Sequence, residues 1–184
     1  MLVAGLLAWM LVAAPLTAQI ALRADTVHTM NGDPIINGVV LIEENTITDV
    51  GPADAVDIPA AATVYEGTVA TPGLVDPRGT VGLSGLYNVP ADQDQLDTSA
   101  PMQPELRAVD AYNPEEELVA FVRDQGVTTV HTGHGPGALI SGQTATFKTT
   151  GRTADAAALS SLTALSMTIG PAATQQFSSP GTRA

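Results

Sequence analysis

The stretch VATPGLVDPRGTVGLSG, residues 69–85, decides the fold. It consists of a short apolar run, a Thr-Pro-Gly turn, a second apolar run that ends at Asp76, and a segment with three glycines. An apolar strand that ends in a carboxylate and a glycine-rich loop is typical of the first strand of a parallel (β/α) barrel, where function lies at the carboxyl ends of the strands. The pattern therefore predicts a barrel strand here, with candidate site residues directly after it.

Several short β-prone runs precede this stretch. They lie at residues 20–30, 38–42, 46–50 and 63–66 and are separated by turn-forming residues. Glu44 and Asn45 form a short connection between the second and third runs, which indicates a hairpin. We predict a small β-sandwich-like unit over residues 19–68.

The segment after residue 85 is polar and shows no periodicity, so residues 86–104 are predicted to form a loop over the barrel mouth. Asp92, Asp94 and Asp97 have a spacing that suggests calcium. An EF-hand loop needs Gly at its sixth position and Glu at its twelfth, and these are Asp97 and Gln103 here. The pattern favours a solvated acidic loop.

Alternating helix and strand patterns continue the barrel. Residues 104–110 and a segment that starts at Asn113 with Pro114 at its first helical position predict helices. Residues 127–130 and 144–149 predict strands, and the apolar spacing of residues 153–167 predicts a further helix. Residues 170–184 are predicted to be a disordered tail.

The length of the chain limits how much of a barrel it can form. The chain has 184 residues, whereas a complete (β/α)8 barrel needs about 250 residues. The predicted fold class is therefore α/β, with the small β-sandwich-like unit followed by an incomplete TIM-like (β/α) barrel over residues 69–169.

Composition excludes several function classes. The net charge is −12, and only seven Lys and Arg residues are present, so no nucleic-acid partner is expected. The chain has no cysteine, which removes disulfides and thiolate chemistry.

The N-terminus carries an apolar run at residues 2–16, followed by small residues before Gln19. This length suits a signal peptide over residues 1–18 better than a spanning helix. An uncleaved anchor or a misplaced start codon are the alternatives. Cleavage predicts an exported protein, periplasmic or extracellular, without a stable membrane span.

The Pro-Gly-Leu-Val-Asp motif at residues 72–76 resembles the first barrel strand of the amidohydrolase superfamily, in which His-x-His follows the Asp. Residues 37–51 and the Gly-Val-Thr-Thr-Val motif at residues 126–130 are similar to amidohydrolase patterns as well. The resemblance covers about residues 20–152 and is closest to the exported, imidazolonepropionase-like amidohydrolases.

The resemblance implies hydrolysis of a C–N bond in a small amide, a dipeptide or a cyclic amide. In the family, one or two divalent metals such as zinc make hydroxide from a bound water. Here Arg78 and Thr80 occupy the positions of the two histidines. Arg carries a permanent charge and has no acceptor atom, so it cannot ligate a cation. We therefore expect no metal site in this chain.

Five residues remain as weak substrate-pocket candidates, and no catalytic residue can be assigned. They are Asp76, Arg78, Thr80, His131 and His134. Arg78 suits either a salt bridge to Asp76 or another acid, or the binding of a substrate anion. His131 and His134 are expected on a glycine-rich loop, as simple loop residues or as a metal or substrate contact. His28, in the β unit, is assigned no role.

Two functional hypotheses follow. In the first, the chain is the N-terminal portion of an amidohydrolase and is inactive as given. In the second, it is a non-catalytic exported binding or structural homologue that has lost the metal site. Oligomers are expected in either case, because an incomplete barrel leaves open sheet edges.

Overall fold

A computed structural model describes residues 19–179. The predicted signal peptide lies outside the described residues. The chain forms two compact units that divide between Pro72 and Gly73. The boundary predicted after residue 68 falls within the strand Thr63–Ala70 of the N-terminal unit.

The N-terminal unit is a four-stranded mixed sheet. Its strands are β1 (Gln19–Val27), β2 (Ile35–Glu43), β3 (Thr46–Pro52) and β4 (Thr63–Ala70). The order is β3-β2-β1-β4, with β1 antiparallel to β2 and parallel to β4. Small apolar side chains, among them Ala24, Val27 and Ala70, form its buried cluster. All four predicted strands are present, and the described residues arrange them in a single sheet.

The hairpin between β2 and β3 has a sequence-encoded turn. Glu44 and Asn45 are its two loop residues, with φ of 49° and 66°. A two-residue type I′ turn requires positive φ at both positions, and Asn is among the residues that tolerate it. The strands pair antiparallel on either side, which confirms the predicted hairpin.

The C-terminal unit contains a second four-stranded sheet. Its strands are β5 (Leu74–Gly79), β6 (Val127–Thr132), β7 (Ile140–Lys148) and β8 (Ala158–Met167). The order is β5-β6-β7-β8, and β5 is parallel to β6, whereas the other pairs are antiparallel. The helices are α1 (Ala108–Ala111), α2 (Glu117–Asp124), α3 (Ala154–Ala157) and α4 (Pro171–Gln176), with a 3₁₀ turn at Pro90–Asp92. The path from β5 through α1 and α2 to β6 is one βα unit of a barrel, and β7 and β8 follow as a hairpin.

Glycine at position 73 allows β5 to pair with β6. A Cβ built on Gly73 would lie 2.2 Å from Cγ2 of Thr128, which is far inside van der Waals contact. The next residue, Leu74, donates its N–H to the carbonyl oxygen of Gly126. The Pro-Gly motif thus encodes a close backbone approach at the start of the barrel strand.

The core of this unit is built around an aromatic stack. The rings of Tyr112 and Phe147 lie 3.7 Å apart between centroids and are nearly parallel. Gly82 has φ of 82° and packs under Tyr112, so that a Cβ there would lie 2.3 Å from Cε2 of the ring. Val119 and Val130 complete the centre of the cluster, each fully buried.

The helix predicted over residues 153–167 is wrong beyond its first turn. Thr153 caps α3, and its Oγ1 accepts the N–H of Ala156, but the chain then enters β8. The leucines have a helical spacing, but the Ser and Thr residues between them have low helix propensity and fit a strand. Pairing with β7 decides the outcome, and Thr146 and Thr163 share a cross-strand hydrogen bond of 2.9 Å.

The predicted disordered tail also changes in detail. Pro171–Gln176 forms a short helix within the residues predicted to be a disordered tail. Residues 86–104 are irregular apart from the 3₁₀ turn, as expected of a loop. The fold class is confirmed as α/β, with a small β unit followed by the first part of a barrel-like unit. No helix among residues 19–179 is both long and apolar enough to cross a membrane.

Candidate functional site

The candidate site lies where the parallel strands β5 and β6 end. Asp76 pairs with Val130 and Gly79 pairs with Thr132, so β5 contains one extra residue between these pairs. Such a bulge bends a strand and redirects side chains, and it is common beside functional sites. Pro77 lies in the bulge, at an edge strand where its missing N–H is tolerated.

Arg78 projects from this bulge and joins β5 to β8 and to the loop that follows β6. Its Nη2 donates to the carbonyl oxygen of His134 over 2.9 Å and to Oγ of Ser166 over 3.3 Å. Ser166 is buried on β8, and its hydroxyl also donates to the His134 carbonyl oxygen over 3.3 Å. Among the described residues, Arg78 forms no salt bridge, so its partners are backbone carbonyls and a hydroxyl.

Asp76 and Thr80 serve local backbone geometry. The Asp76 Oδ1 accepts the N–H of Arg78 over 3.1 Å, across the bulge. The Thr80 hydroxyl lies 2.7 Å from the hydroxyl of Ser84, and the Thr80 carbonyl oxygen accepts three further hydrogen bonds, from the Leu83 N–H and from the N–H and hydroxyl of Ser84. Thr80 therefore closes the turn after β5.

His131 lies within β6 and not on the loop where the sequence placed it. Its Nδ1 is 2.9 Å from the Pro77 carbonyl oxygen, and its Nε2 is 2.7 Å from the Thr144 hydroxyl. A carbonyl oxygen can only accept, so Nδ1 carries a proton. Both ring nitrogens are thus engaged in joining β5, β6 and β7, and neither is left to ligate a metal.

His134 is the candidate with an unused nitrogen. Its side chain is 6% exposed, and its Nδ1 is buried without a hydrogen-bond partner. Burial lowers the pKa of His134, and the nearby positive charge of Arg78 lowers it further. The imidazole is therefore neutral at pH 7, with one nitrogen able to accept.

A pocket of about 630 Å³ opens beside His134. Its ionisable wall residues are Asp94, Asp97, Glu105, Arg107, Asp110 and His134. Leu96, Leu106 and Ala111 supply apolar surface. Volume and lining suit a small-molecule site, which typically combines apolar walls with a few polar groups. Of the five residues singled out in the sequence, His134 alone is found in the wall of this pocket among the described residues.

Two pocket carboxylates are held by neighbours. Asp97 accepts the N–H of Ser99 over 2.7 Å and Nε2 of Gln103 over 2.9 Å, and bonds to these two residues lower its pKa to about 2. Arg107 pairs with Asp110 through two hydrogen bonds, one of 2.8 Å from Nε. This pairing lowers the pKa of Asp110.

The sequence did not indicate the partners that complete the site. Ser166 was missed because its segment was assigned to a helix, and Thr144 because a lone threonine carries no signal. Asp94 and Asp97 were recognised only as members of an acidic loop. The bulge itself had a signal, since Pro77 interrupts a strand pattern.

The donor set does not fit a catalytic divalent metal. A catalytic zinc site needs about three protein ligands. Within the described residues, no group of three His, Cys, Asp or Glu side chains is close enough to hold an ion. Arg78 is engaged by carbonyl oxygens, and its fixed charge opposes a cation at the strand end.

The sequence matches no protein-family profile and no curated protein. The fold is similar to that of an amidohydrolase from Thermotoga maritima MSB8, with a TM-score of 0.79 and 21% identity. That alignment covers 88% of this chain and 42% of the solved chain, so this chain spans less than half the length of its structural neighbour. At this identity the similarity establishes the fold alone.

Two other solved structures align over shorter stretches. One is the ochratoxinase of A. niger, with a TM-score of 0.33 and 23% identity, over 41% of this chain and 18% of the other. The other is a variant N-acetyl-D-glucosamine-6-phosphate deacetylase of Mycobacterium smegmatis, with a TM-score of 0.35 and 24% identity. That alignment covers 62% of this chain and 24% of the other. These partial superpositions are too loose to add to the argument.

Proposed function

We propose that this protein is amidohydrolase-like, related to hydrolases of C–N bonds, and that the chain as given hydrolyses nothing by metal-dependent chemistry. The fold similarity and the Pro-Gly-Leu-Val-Asp strand support the relationship. The residues at the end of β5 support the expected absence of metal-dependent hydrolysis.

The position and hydrogen bonds of Arg78 are the main support for this proposal. It occupies the position of the first metal-binding histidine in the amidohydrolase pattern, and its guanidinium is hydrogen-bonded to His134 and Ser166. A cation about 4 Å away would meet a repulsion of about 4 kcal/mol per unit charge at an effective dielectric near 20. His131 cannot offset this, because both of its ring nitrogens are hydrogen-bonded. His134 has one free nitrogen, which is a single ligand where a catalytic zinc site needs about three.

Metal analysis tests the proposal directly. The purified chain is incubated with zinc or manganese, dialysed and analysed for bound metal, then assayed on cyclic amides and dipeptides. We expect substoichiometric metal and no turnover. His131→Ala and His134→Ala should leave the metal content unchanged, as should His28→Ala, the matched control in the N-terminal unit. Stoichiometric metal that is lost in His131→Ala but retained in His28→Ala would contradict the proposal.

The finer assignment within the superfamily is also a proposal. The exported, imidazolonepropionase-like amidohydrolases share the strand pattern of residues 37–51, and they imply a cyclic amide or peptide-like substrate. Tight binding of an unrelated ligand class, with no binding of cyclic amides or dipeptides in a calorimetric screen, would count against this subtype.

Export is proposed on the apolar run at residues 2–16. Cleavage after residue 18 would leave Gln19 as the first residue, and the Gln19 side chain bonds to Glu43 across β1 and β2. The mature chain would therefore keep the whole of β1. Intact-mass analysis of protein from the periplasm or medium should show the chain from Gln19. A soluble product that retains Met1 would contradict export by cleavage.

A further inference from the structure

The pocket beside His134 contains carboxylates that form no hydrogen bond or ion pair with other described side chains. Arg107 neutralises Asp110, and Asp97 is held by Ser99 and Gln103. The side chains of Asp94 and Glu105 form no hydrogen bond or ion pair with any described residue. Both residues are exposed, and both line the pocket. Two carboxylates without a described partner in the pocket wall create a negative potential inside a concave surface.

His134 provides a second, independent observation at the same place. It lines the pocket, is buried to more than nine-tenths, and has a nitrogen without a partner. Leaving a buried polar atom unsatisfied is unfavourable, and native structures contain few such atoms. A neutral imidazole has one nitrogen that donates and one that accepts, and in the Nε2–H tautomer Nδ1 is the acceptor, so this tautomer suits a ligand that carries N–H donors.

We propose that this pocket binds a small organic cation, a guanidinium or primary ammonium group on a short chain. Asp94 and Glu105 attract the charged group, and His134 accepts one of its hydrogen bonds. The apolar stem of the ligand packs on Leu96 and Leu106. This inference goes beyond C–N hydrolysis and does not depend on it.

The observations favour an organic cation over a metal ion. Divalent ions need several oxygen or nitrogen ligands that converge within a few ångströms. The described residues contain no such convergent group, and the pocket acids are spread over a wall that encloses about 630 Å³. A guanidinium group spreads its charge over a plane with five donors and can reach separate acceptors.

A matched pair of ligands tests the charge requirement. N-acetyl-L-argininamide carries a guanidinium group, and N-acetyl-L-citrullinamide has nearly the same shape with a neutral urea group. Isothermal titration calorimetry on the purified chain should show binding of the arginine compound about tenfold or more tighter than the citrulline compound. Added salt should narrow the difference, because the carboxylates are exposed.

Variants of the pocket locate the binding. Asp94→Asn with Glu105→Gln should abolish the preference for the charged ligand. Asp57→Asn with Asp124→Asn is the matched control, because it also removes two negative charges, from exposed residues outside the pocket wall, and should leave the preference intact. Circular dichroism checks that each variant folds.

Three outcomes would overturn the proposal. One is equal affinity for the two ligands in the unsubstituted chain, a result that does not depend on how any variant folds. Another is the same loss of preference in Asp57→Asn with Asp124→Asn as in the pocket variant, which would indicate attraction by net charge alone. The last is stoichiometric calcium or magnesium binding with no binding of the arginine compound. The metal and turnover assays of the proposed function use different readouts, so either proposal can fail alone.

Discussion

The guanidinium of Arg78 lies 2.9 Å from the carbonyl oxygen of His134, so a cation at the end of β5 holds the backbone of the pocket histidine. The positive charge disfavours protonation of the neighbouring imidazole, in addition to the effect of burial. Burial and the fixed charge at the end of β5 together disfavour the protonated form of His134.

Replacing Arg78 should change the titration of His134. In Arg78→Gln, the pKa of His134 should rise, because the Coulombic contribution is removed, yet remain below 6.5, because burial remains. The pKa can be followed by NMR of the ring resonances between pH 4 and 8. Arg152→Gln, which alters an exposed guanidinium paired with Glu115, is the control and should leave the titration unchanged. A fall in the pKa in Arg78→Gln would contradict the assigned electrostatics.

Acid stability should depend on Asp97. A carboxyl group whose pKa is lowered on folding stabilises the protein above its unfolded pKa, and this contribution is lost as the pH falls through the folded value. For Asp97 the window runs from 3.8 down to about 2. Denaturant unfolding across this range should show a smaller loss of stability in Asp97→Asn than in the unsubstituted chain. Asp94→Asn, whose side chain has no described partner, should lose stability as the unsubstituted chain does.

The buried hydroxyl of Tyr112 should be dispensable for folding. It has no hydrogen-bond partner, and burial raises the pKa of this phenol to about 12. Tyr112→Phe keeps the stack on Phe147 and removes an unsatisfied polar atom, so we expect the free energy of unfolding to rise by about 1 kcal/mol.

Tyr87→Phe is the matched control for that variant. The Tyr87 hydroxyl is exposed and donates to Oε2 of Glu117 over 2.6 Å, so its removal should not stabilise the protein. Chemical denaturation of both variants gives the comparison. A loss of stability in Tyr112→Phe would show that its hydroxyl has a partner in solution.

Local patterns predicted most of the strands, because each carried its own turn chemistry. Glu44 and Asn45 tolerate the positive φ of a tight hairpin, and Gly73 accepts the close approach of β6. The strand β8 could not be predicted in the same way. Its leucines follow a helical spacing, and only pairing with β7, a non-local contact, makes it a strand.

The candidate site was predictable only in part, for the same reason. In the sequence, Arg78 stands out as a departure from a family pattern, and His134 stands out as a histidine in a loop. Their contact depends on a bulge at Pro77 and on Ser166, which arrives from β8. Spacing along the chain does not contain this information, because it arises when distant strands pair.

The outer strand of the second sheet should drive self-association. β8 is an edge of that sheet, and Leu159, Leu162, Leu165 and Met167 are between 44% and 59% exposed. An edge strand with a row of exposed apolar side chains favours pairing with another chain. We expect the purified chain to form concentration-dependent oligomers in sedimentation velocity experiments. Leu162→Lys should shift the distribution toward monomer, because a charge on an edge strand opposes pairing.

Phe121→Lys on α2 is the control for this prediction. Phe121 is 51% exposed, so the substitution adds the same charge to an apolar surface residue outside the sheet edge. If β8 is the contact, Phe121→Lys should leave the oligomer distribution unchanged. An equal effect of both variants would assign the association to general hydrophobicity or net charge. A monodisperse monomer of the unsubstituted chain, with a sharp cooperative thermal transition, would show that the exposed leucines do not bring two chains together.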